Sequence, residues 1–279
     1  MTANREMAAL WNDASGRTWV ELQEILDHSL APFVPVLVDA AFPGEGGRVL
    51  DIGCGAGATT LAMARRVGPT GACAGADISA PLVAAAQARA AAEGVTTARF
   101  VEADAQTYAF EAGAFDAVIS RFGVMFFDDP PAAFANIRRA ARRDAALAFV
   151  AWRGPRENPF MTAPARAGAS LFPEMKPPDP DAPGMFAFAD GDKVRRILDA
   201  SGWADVDVGA IDVPCTVAEE HLLTYGTRLG ALAPLLRTAD ADTRARAVEL
   251  VAGAYAPFVR DGAAHFTAAC WLVRARSPG

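Results

Sequence analysis

The stretch RVLDIGCGAGATT, residues 48–60, ends an apolar run in an aspartate and then places glycine at every second position. Two ligand chemistries fit such a loop. Gly53, Gly55 and Ala58 satisfy G-x-G-x-x-G/A, the turn that brings a pyrophosphate against backbone N–H groups at a helix N-terminus. Asp51, Gly53, Gly55 and Gly57 satisfy a second pattern, acid-x-G-x-G-x-G. Asp51 separates the two readings. A pyrophosphate within ~5 Å of this carboxylate would be repelled by about 3 kcal/mol per charge pair at an effective dielectric near 20, and an ammonium or sulfonium attracted by a similar amount. The loop therefore favours a cationic group.

Two further acids follow at matching places. Asp77, in GADIS, can accept both hydroxyls of a ribose, which suits either ligand class. Asp104, in VEADAQ, can take an adenine amino group while the Ala105 backbone reads the ring edge, and dinucleotide sites do not require this third acid. S-adenosylmethionine carries an amino group, a sulfonium and an adenosine, and is the ligand this set of residues favours, with S-adenosylhomocysteine as its product.

These acids need strand ends to present them, and the pattern supplies them. RVLDI, ACAGADI, TARFVEAD, FDAVIS and AALAFVAW read as strands. They alternate with the helices ATTLAMARRV, closed by Gly68; an alanine-rich segment capped by Ser79, with Pro81 in its first turn, running to Gly94; and one capped by Asp128 or Asp129. Asp192–Ala200 reads as a further helix. ADVDVGAIDV and HFTAACWLVRA are late strands, and residues 217–260 between them read as two helices. The expectation is an α/β, doubly wound, Rossmann-like and mostly parallel seven-stranded sheet. N-terminal helices and a helical insertion before the last strand would form a cap. At the start of the chain, Thr18 and Glu21 form a capping-box pattern, and Leu22, Ile25, Leu26 and Leu30 share a helical face, up to Pro32. The division expected is an N-terminal helical lid over 1–42 and a main domain over 43–279, with a proline-rich lid segment at 153–190 and the insertion at 217–262.

The chain resembles the class I S-adenosylmethionine-dependent methyltransferases through VLDIGCGAG, GADIS, VEADAQ and FDAVISRFGVMFFDDPPAAFANIRRA, over roughly residues 48–152. Within that class it is similar to the C-methyltransferases of ubiquinone and menaquinone synthesis and related small-molecule enzymes. The resemblance implies that Asp51, Gly53, Gly55 and Gly57 cradle the methionine part of the cofactor. It implies Asp77 at the ribose, Asp104 and Ala105 at the adenine, and Ser120 and Arg121 beside the methionine-sulfonium region, with Ile78 also in the cofactor site. One departure is visible: where relatives carry a Pro-Gly-Gly turn before the fifth strand, this chain has Arg142-Arg143-Asp144-Ala145, so that Asp144 must supply the left-handed residue.

Methyl transfer from a sulfonium is an in-line displacement in which the protein chiefly positions the acceptor and excludes water. No general base stands out in the sequence. His28, at the end of an N-terminal helix, and His221, on the insertion, are the weak candidates; His265 begins the last strand and reads as structural. Phe122, Met125, Phe126 and Phe127 follow the fourth strand and are candidates to line an apolar acceptor pocket, joined from the lid segment by Phe160. Trp11 and Trp19 read as packing residues that could touch a cofactor from above. The reaction expected is methylation of a small, hydrophobic or aromatic molecule.

Composition bounds the alternatives. The 279 residues carry a net charge of −7 and 52% hydrophobic residues. That supports a large core and argues against nucleic acid or an anionic membrane as the main partner. Four scattered cysteines match no metal-ligand spacing, so no metal is expected. No apolar leader or membrane-length run is visible, and a soluble, cytoplasmic protein is expected. A methyltransferase acting on protein or another macromolecule is the main rival. Asp129-Pro130-Pro131 lies too late after the fourth strand for a DNA amino-methylation motif and is followed by Ala132, and Pro214-Cys215 lies in a late strand. An NAD(P)-dependent oxidoreductase and a binding module without catalysis are the others.

Overall fold

A computed structural model describes residues 4–175 and 179–278. Lys176, Pro177 and Pro178, which belong to the expected proline-rich lid segment, lie outside the described residues, as do residues 1–3 and 279. The chain opens with four helices: α1 (Arg5–Asn12), α2 (Ala14–Glu21), α3 (Gln23–Leu30) and α4 (Phe33–Ala41). The alternating region follows as β1 (Arg48–Ile52), α5 (Ala58–Val67), β2 (Ala72–Asp77), α6 (Ala80–Ala92), β3 (Ala98–Glu102), β4 (Phe115–Arg121), α7 (Pro130–Ala140) and β5 (Ala141–Trp152). The rest comprises α8 (Pro159–Gly168), α9 (Gly191–Ala200), β6 (Ala204–Ala218), α10 (Leu222–Arg228), α11 (Leu232–Thr238), α12 (Ala241–Tyr255), β7 (Val259–Arg260) and β8 (Ala263–Arg276).

One sheet organises the described residues, in the order β3-β2-β1-β4-β5-β8-β6. The first five strands are parallel, and β8 runs antiparallel between β5 and β6. The seven expected strands are joined by the two-residue β7, a short hairpin partner of β8. β1, β4 and β5 are buried on both faces because helices cover both, which is why their sequences read as continuous apolar runs. Asp144 takes the left-handed conformation at φ +60°, as the missing glycine requires, and its N–H donates to the Ser277 carbonyl.

The helical parts depart from the sequence reading in instructive ways. Thr18 lies inside α2, which starts at Ala14, so the expected capping box does not form. The break falls instead at Leu22, whose side chain turns into the core with Leu26 and Leu30. α4 buries Phe33, Leu37 and Val38 in the main core, so only α1–α3 are placed over the sheet edge. Ser79 does not cap α6 with its side chain; its hydroxyl donates to the Trp11 carbonyl. Asn12 does that work from α1, accepting from the Ala80 N–H at 2.8 Å and donating to the Ile78 carbonyl at 2.8 Å. The proline-rich segment contains a helix, α8, with Pro164 inside it. The insertion holds three α-helices, not two, because β6 persists to Ala218 and the helices are short.

β6 and β8 are the longest strands, and their far ends carry a second hydrophobic cluster. Leu22, just before α3, and Leu26 of α3 meet Phe160, Tyr225, Leu232, Val251 and Tyr255 there. Where β5 ends, a side chain takes over its ladder. Buried Asn158 accepts from the Ala269 N–H and donates to the Ala269 carbonyl, both at 3.0 Å. Asn158→Ala strands the Ala269 N–H, while the Ala269 carbonyl keeps the Arg153 N–H at 3.0 Å, and a loss of about 1–3 kcal/mol is expected, read as a lowered urea midpoint at unchanged slope.

Candidate functional site

A cavity of about 190 Å³ opens outside the carboxyl ends of β1, β2, β3 and β4. This is where the strand order reverses between β1 and β4, the place at which open α/β sheets bind ligands. The cavity has two chemically distinct ends.

The polar end is built by the strand-end residues. Gly53 and Gly55 line it, with Asp77, Ile78, Asp104 and Ala105. Asp77 is held by two backbone donors, the Gly55 N–H at 2.8 Å and the Ser79 N–H at 2.9 Å. Burial still outweighs these bonds and raises its carboxyl above the usual range. Asp104 accepts from the Gln106 N–H at 3.0 Å and from the Asn4 side chain at 3.4 Å. Asn4 stands just before α1, lines the cavity, and has a buried Oδ1 without a hydrogen-bond partner.

The glycine loop shows which ligand it suits. The Gly53 and Cys54 N–H groups both donate to the Ala76 carbonyl, Gly55 donates to Asp77, and Gly57 donates to the Cys54 carbonyl. These amides are occupied within the protein and are not directed at a pyrophosphate. Gly55 has φ +53° and open space where a Cβ would be. Gly53 has φ +65°, and a Cβ there would stand 2.6 Å from the Gly123 Cα. Gly57, expected at the methionine, does not line the cavity; its φ of +85° starts α5, and a Cβ would strike Phe100 at 2.9 Å. Its task is close helix–strand packing.

Asp51 lies one layer beneath the cavity floor, 1% exposed. Its Oδ2 accepts from the Thr60 hydroxyl at 2.6 Å, while Oδ1 is buried with no partner. Burial pushes its carboxyl up to about 7, opposed by the Thr60 hydrogen bond and by the Arg121 charge. Near pH 7 the carboxyl is therefore about half ionised, and it lies below the cavity rather than among its lining residues. An orphaned carboxylate oxygen under a loop whose amides are satisfied fits a cationic group above it. Cys54, in the same loop, is a buried thiol pushed well above its ordinary value by burial and inert.

Ser120 does not reach the cavity. Its hydroxyl donates to the Ile52 carbonyl at 2.6 Å and accepts from the Gly123 N–H at 3.2 Å, which locks β4 to β1. Arg121 does line it, as do Phe122 and Phe126. Phe122 holds a left-handed φ of +64° and stacks on Trp152 at 4.6 Å and 10°. An aromatic residue in that region is strained, and strain of this kind clusters at ligand sites.

The apolar end lies beneath the cap. Met161, Tyr225, Leu229 and Tyr255 line it, opposite Trp152 and Leu30. Phe160 is not among the lining residues; it is 1% exposed and stacked on Phe266 at 3.9 Å inside the cap's own core. Helical geometry turns its neighbour Met161 to the cavity instead. Neither histidine candidate lines the cavity. His28 is exposed and 3.5 Å from the Thr216 hydroxyl, and His221 is half-buried beside Glu220 at 3.8 Å. Trp11 and Trp19 both line the cavity, edge to face at 5.4 Å. The sequence reading missed Asn4, Trp152, Tyr225 and Tyr255; Trp152, last residue of a buried strand, carried the one available signal. Among the described residues no group of three or more His, Cys, Asp or Glu could hold a metal ion, and no helix is long and apolar enough to cross a membrane.

Residues 49–144 match the family described as "Methyltransferase domain". The chain is 37% identical to nocamycin O-methyltransferase of Saccharothrix syringae over 142 residues, 50% of each protein. It is 35% identical to aklanonic acid methyltransferase DauC of Streptomyces sp. (strain C5) over 114 residues, 41% of this chain and 52% of that protein. The chain thus spans about half the length of these curated relatives. The crystal structure of the YcgJ protein from Bacillus subtilis superimposes with a TM-score of 0.58 at 20% identity, covering 90% of this chain and 99% of that one. Sheet order, cavity position and these likenesses agree on a Rossmann-like α/β methyltransferase fold.

Proposed function

We propose that this protein transfers a methyl group from S-adenosylmethionine to a small, apolar or aromatic molecule. One observation carries the reading: a single cavity joins a strand-end carboxylate pocket to an aromatic chamber beneath the cap. Asp77 would hold the ribose, Asp104 with Ala105 the adenine, and the Gly53–Gly55 turn over Asp51 the amino-acid part. The cofactor, when bound, supplies an electrophilic methyl on a sulfonium. The protein's part is to orient, to exclude water and to place the acceptor on the far side of that methyl. Phe122, Trp152, Met161, Tyr225 and Tyr255 would form the acceptor chamber, with α1–α3 and the cap as its cover.

The aromatic walls and the matching to two natural-product methyltransferases support a small acceptor over a macromolecule, and the O-methyltransferase among them supports oxygen as the atom methylated. The binding step can be tested by titrating the full chain with S-adenosylhomocysteine and, in parallel, with NAD and NADP. Saturable binding of S-adenosylhomocysteine alone is expected. Tighter binding of either dinucleotide would reverse the reading.

A further inference from the structure

Among the described residues, Arg121 is the only cation that lines the cavity. Its guanidinium has five N–H donors. One hydrogen bond is made, from Nη1 to the Leu30 carbonyl at 3.3 Å. The nearest carboxylate, Asp27, stands 3.8 Å from Nη2, beyond hydrogen-bond distance. Asp27 is engaged elsewhere, since it pairs with Arg89 at 2.5 Å. Arg89 also pairs with Glu93, and Glu93 with Arg65. The chain of contacts holds three arginines against two carboxylates, and beyond it Arg121 has only the field of Asp51, which does not touch it. Arg121 is the member of that chain inside the cavity, its side chain 14% exposed. Burial works against its charged form, and Asp27 and Asp51 support it.

The acceptor end around it has donors and no base. Asp77 and Asp104 belong to the polar end, and no His, Asp or Glu lines the acceptor end among the described residues. Burial raises the phenols of Tyr225 and Tyr255, which therefore stay protonated and act as donors. The Tyr225 hydroxyl faces the Met161 sulfur at 3.7 Å. Phe122 and Trp152, stacked on each other, both line the cavity.

We propose that the acceptor is a planar, apolar acid that enters already ionised, with its oxyanion held by Arg121 and its ring system against Phe122 and Trp152. The inference rests on the methyl-transfer reading and specifies its substrate class. A lone pair of the acceptor oxygen forms the new O–C bond as the C–S bond breaks and its electron pair returns to sulfur. The negative charge on oxygen and the positive charge on sulfur both vanish. No proton moves in the step, which is why the chamber holds no base.

A carboxylate at Arg121 could also come from the amino-acid part of the cofactor, and the test separates the sources. The full chain, with S-adenosylhomocysteine bound, is titrated with 2-naphthoate and with its neutral amide, 2-naphthamide. The naphthoate is expected to bind at least tenfold tighter. Arg121→Gln removes that preference, and Arg121→Lys, matched to the parent by thermal melting, restores most of it. In the second arm, S-adenosylhomocysteine is compared with 5′-methylthioadenosine, which lacks the amino-acid part. Arg121→Gln is expected to leave the ratio of the two affinities unchanged. Equal binding of naphthoate and naphthamide overturns the proposal. So does a loss confined to S-adenosylhomocysteine with the naphthoate preference intact, which assigns Arg121 to the cofactor's carboxylate. Failure of the parent protein to bind S-adenosylhomocysteine would instead overturn the methyl-transfer reading beneath it.

Discussion

Gly53→Ala is expected to destabilise the protein by about 3–5 kcal/mol and to abolish nucleoside binding. Two effects add. The left-handed φ of +65° costs a residue with a Cβ about 1–2 kcal/mol. The new methyl would then stand 2.6 Å from the Gly123 Cα, a backbone atom that cannot rotate away. Gly123 is held from its own side, because its N–H donates to Ser120 and a Cβ there would stand 2.7 Å from the Gly53 Cα. The two glycines therefore let the β1 and β4 loops touch, and any relief must separate the strands that frame the cavity. Gly55→Ala is the informative contrast. It meets nothing within 4 Å and carries only the backbone penalty, so stability should fall by about 1–2 kcal/mol. Urea unfolding of both variants, beside titration with S-adenosylhomocysteine, checks the pair. Equal destabilisation by the two would show that the loop contact is not what matters.

Asp51→Asn is expected to weaken S-adenosylhomocysteine binding at pH 8 by roughly 100-fold, the about 2–3 kcal/mol of a charge pair ~6 Å apart at an effective dielectric near 20. The same variant should be more stable than the parent when no ligand is bound. Burial raises the Asp51 carboxyl from 3.8 to about 7 in the folded protein. A group raised in this way contributes stability below its unfolded value and loses it as pH climbs through the folded one. Between pH 4 and 7 the parent should thus lose on the order of 4 kcal/mol that asparagine, which cannot ionise, retains. The Thr60 hydrogen bond survives, because the asparagine carbonyl can accept it. A cationic ligand favours ionised Asp51, so the parent's affinity should rise with pH up to about 7, and the variant's should stay flat. Thermal melts and titrations at pH 5 and pH 8 check both halves. A variant that binds as tightly as the parent at pH 8 would remove the field of Asp51 from the account.

The polar end of the cavity was legible in the sequence because each of its groups sits at the end of a short strand, inside one contiguous motif. Asp77, Asp104 and the two glycines are placed by local pattern alone. The sign of the Asp51 charge could be read, but not its depth. That depends on Thr60, in the first turn of α5, which draws the carboxylate below the floor. The acceptor end could not be read in the same way. Trp152, Met161, Tyr225 and Tyr255 come from four segments that only the tertiary fold brings together. Phe160 shows the limit in its smallest form: it was selected for its type, yet a step of one residue turns a helical side chain by about 100° and leaves Met161 facing the cavity. The histidines failed for a related reason. Their residue type suited proton transfer, and nothing in the sequence showed that both would lie away from the cavity.

The placement of β8 has a consequence for how the molecule is made. β8 follows β6 in the chain yet lies between β5 and β6, so β6 has no partner until β8 emerges from the ribosome. Everything at the polar end is complete by the end of β4, about a hundred and fifty residues earlier. A half-made chain can therefore assemble the proposed nucleoside pocket while the edge of β5, apolar through Leu147–Trp152, has nothing to pair with. Ligand captured during synthesis would steady that intermediate by mass action at the moment when it is most exposed to aggregation.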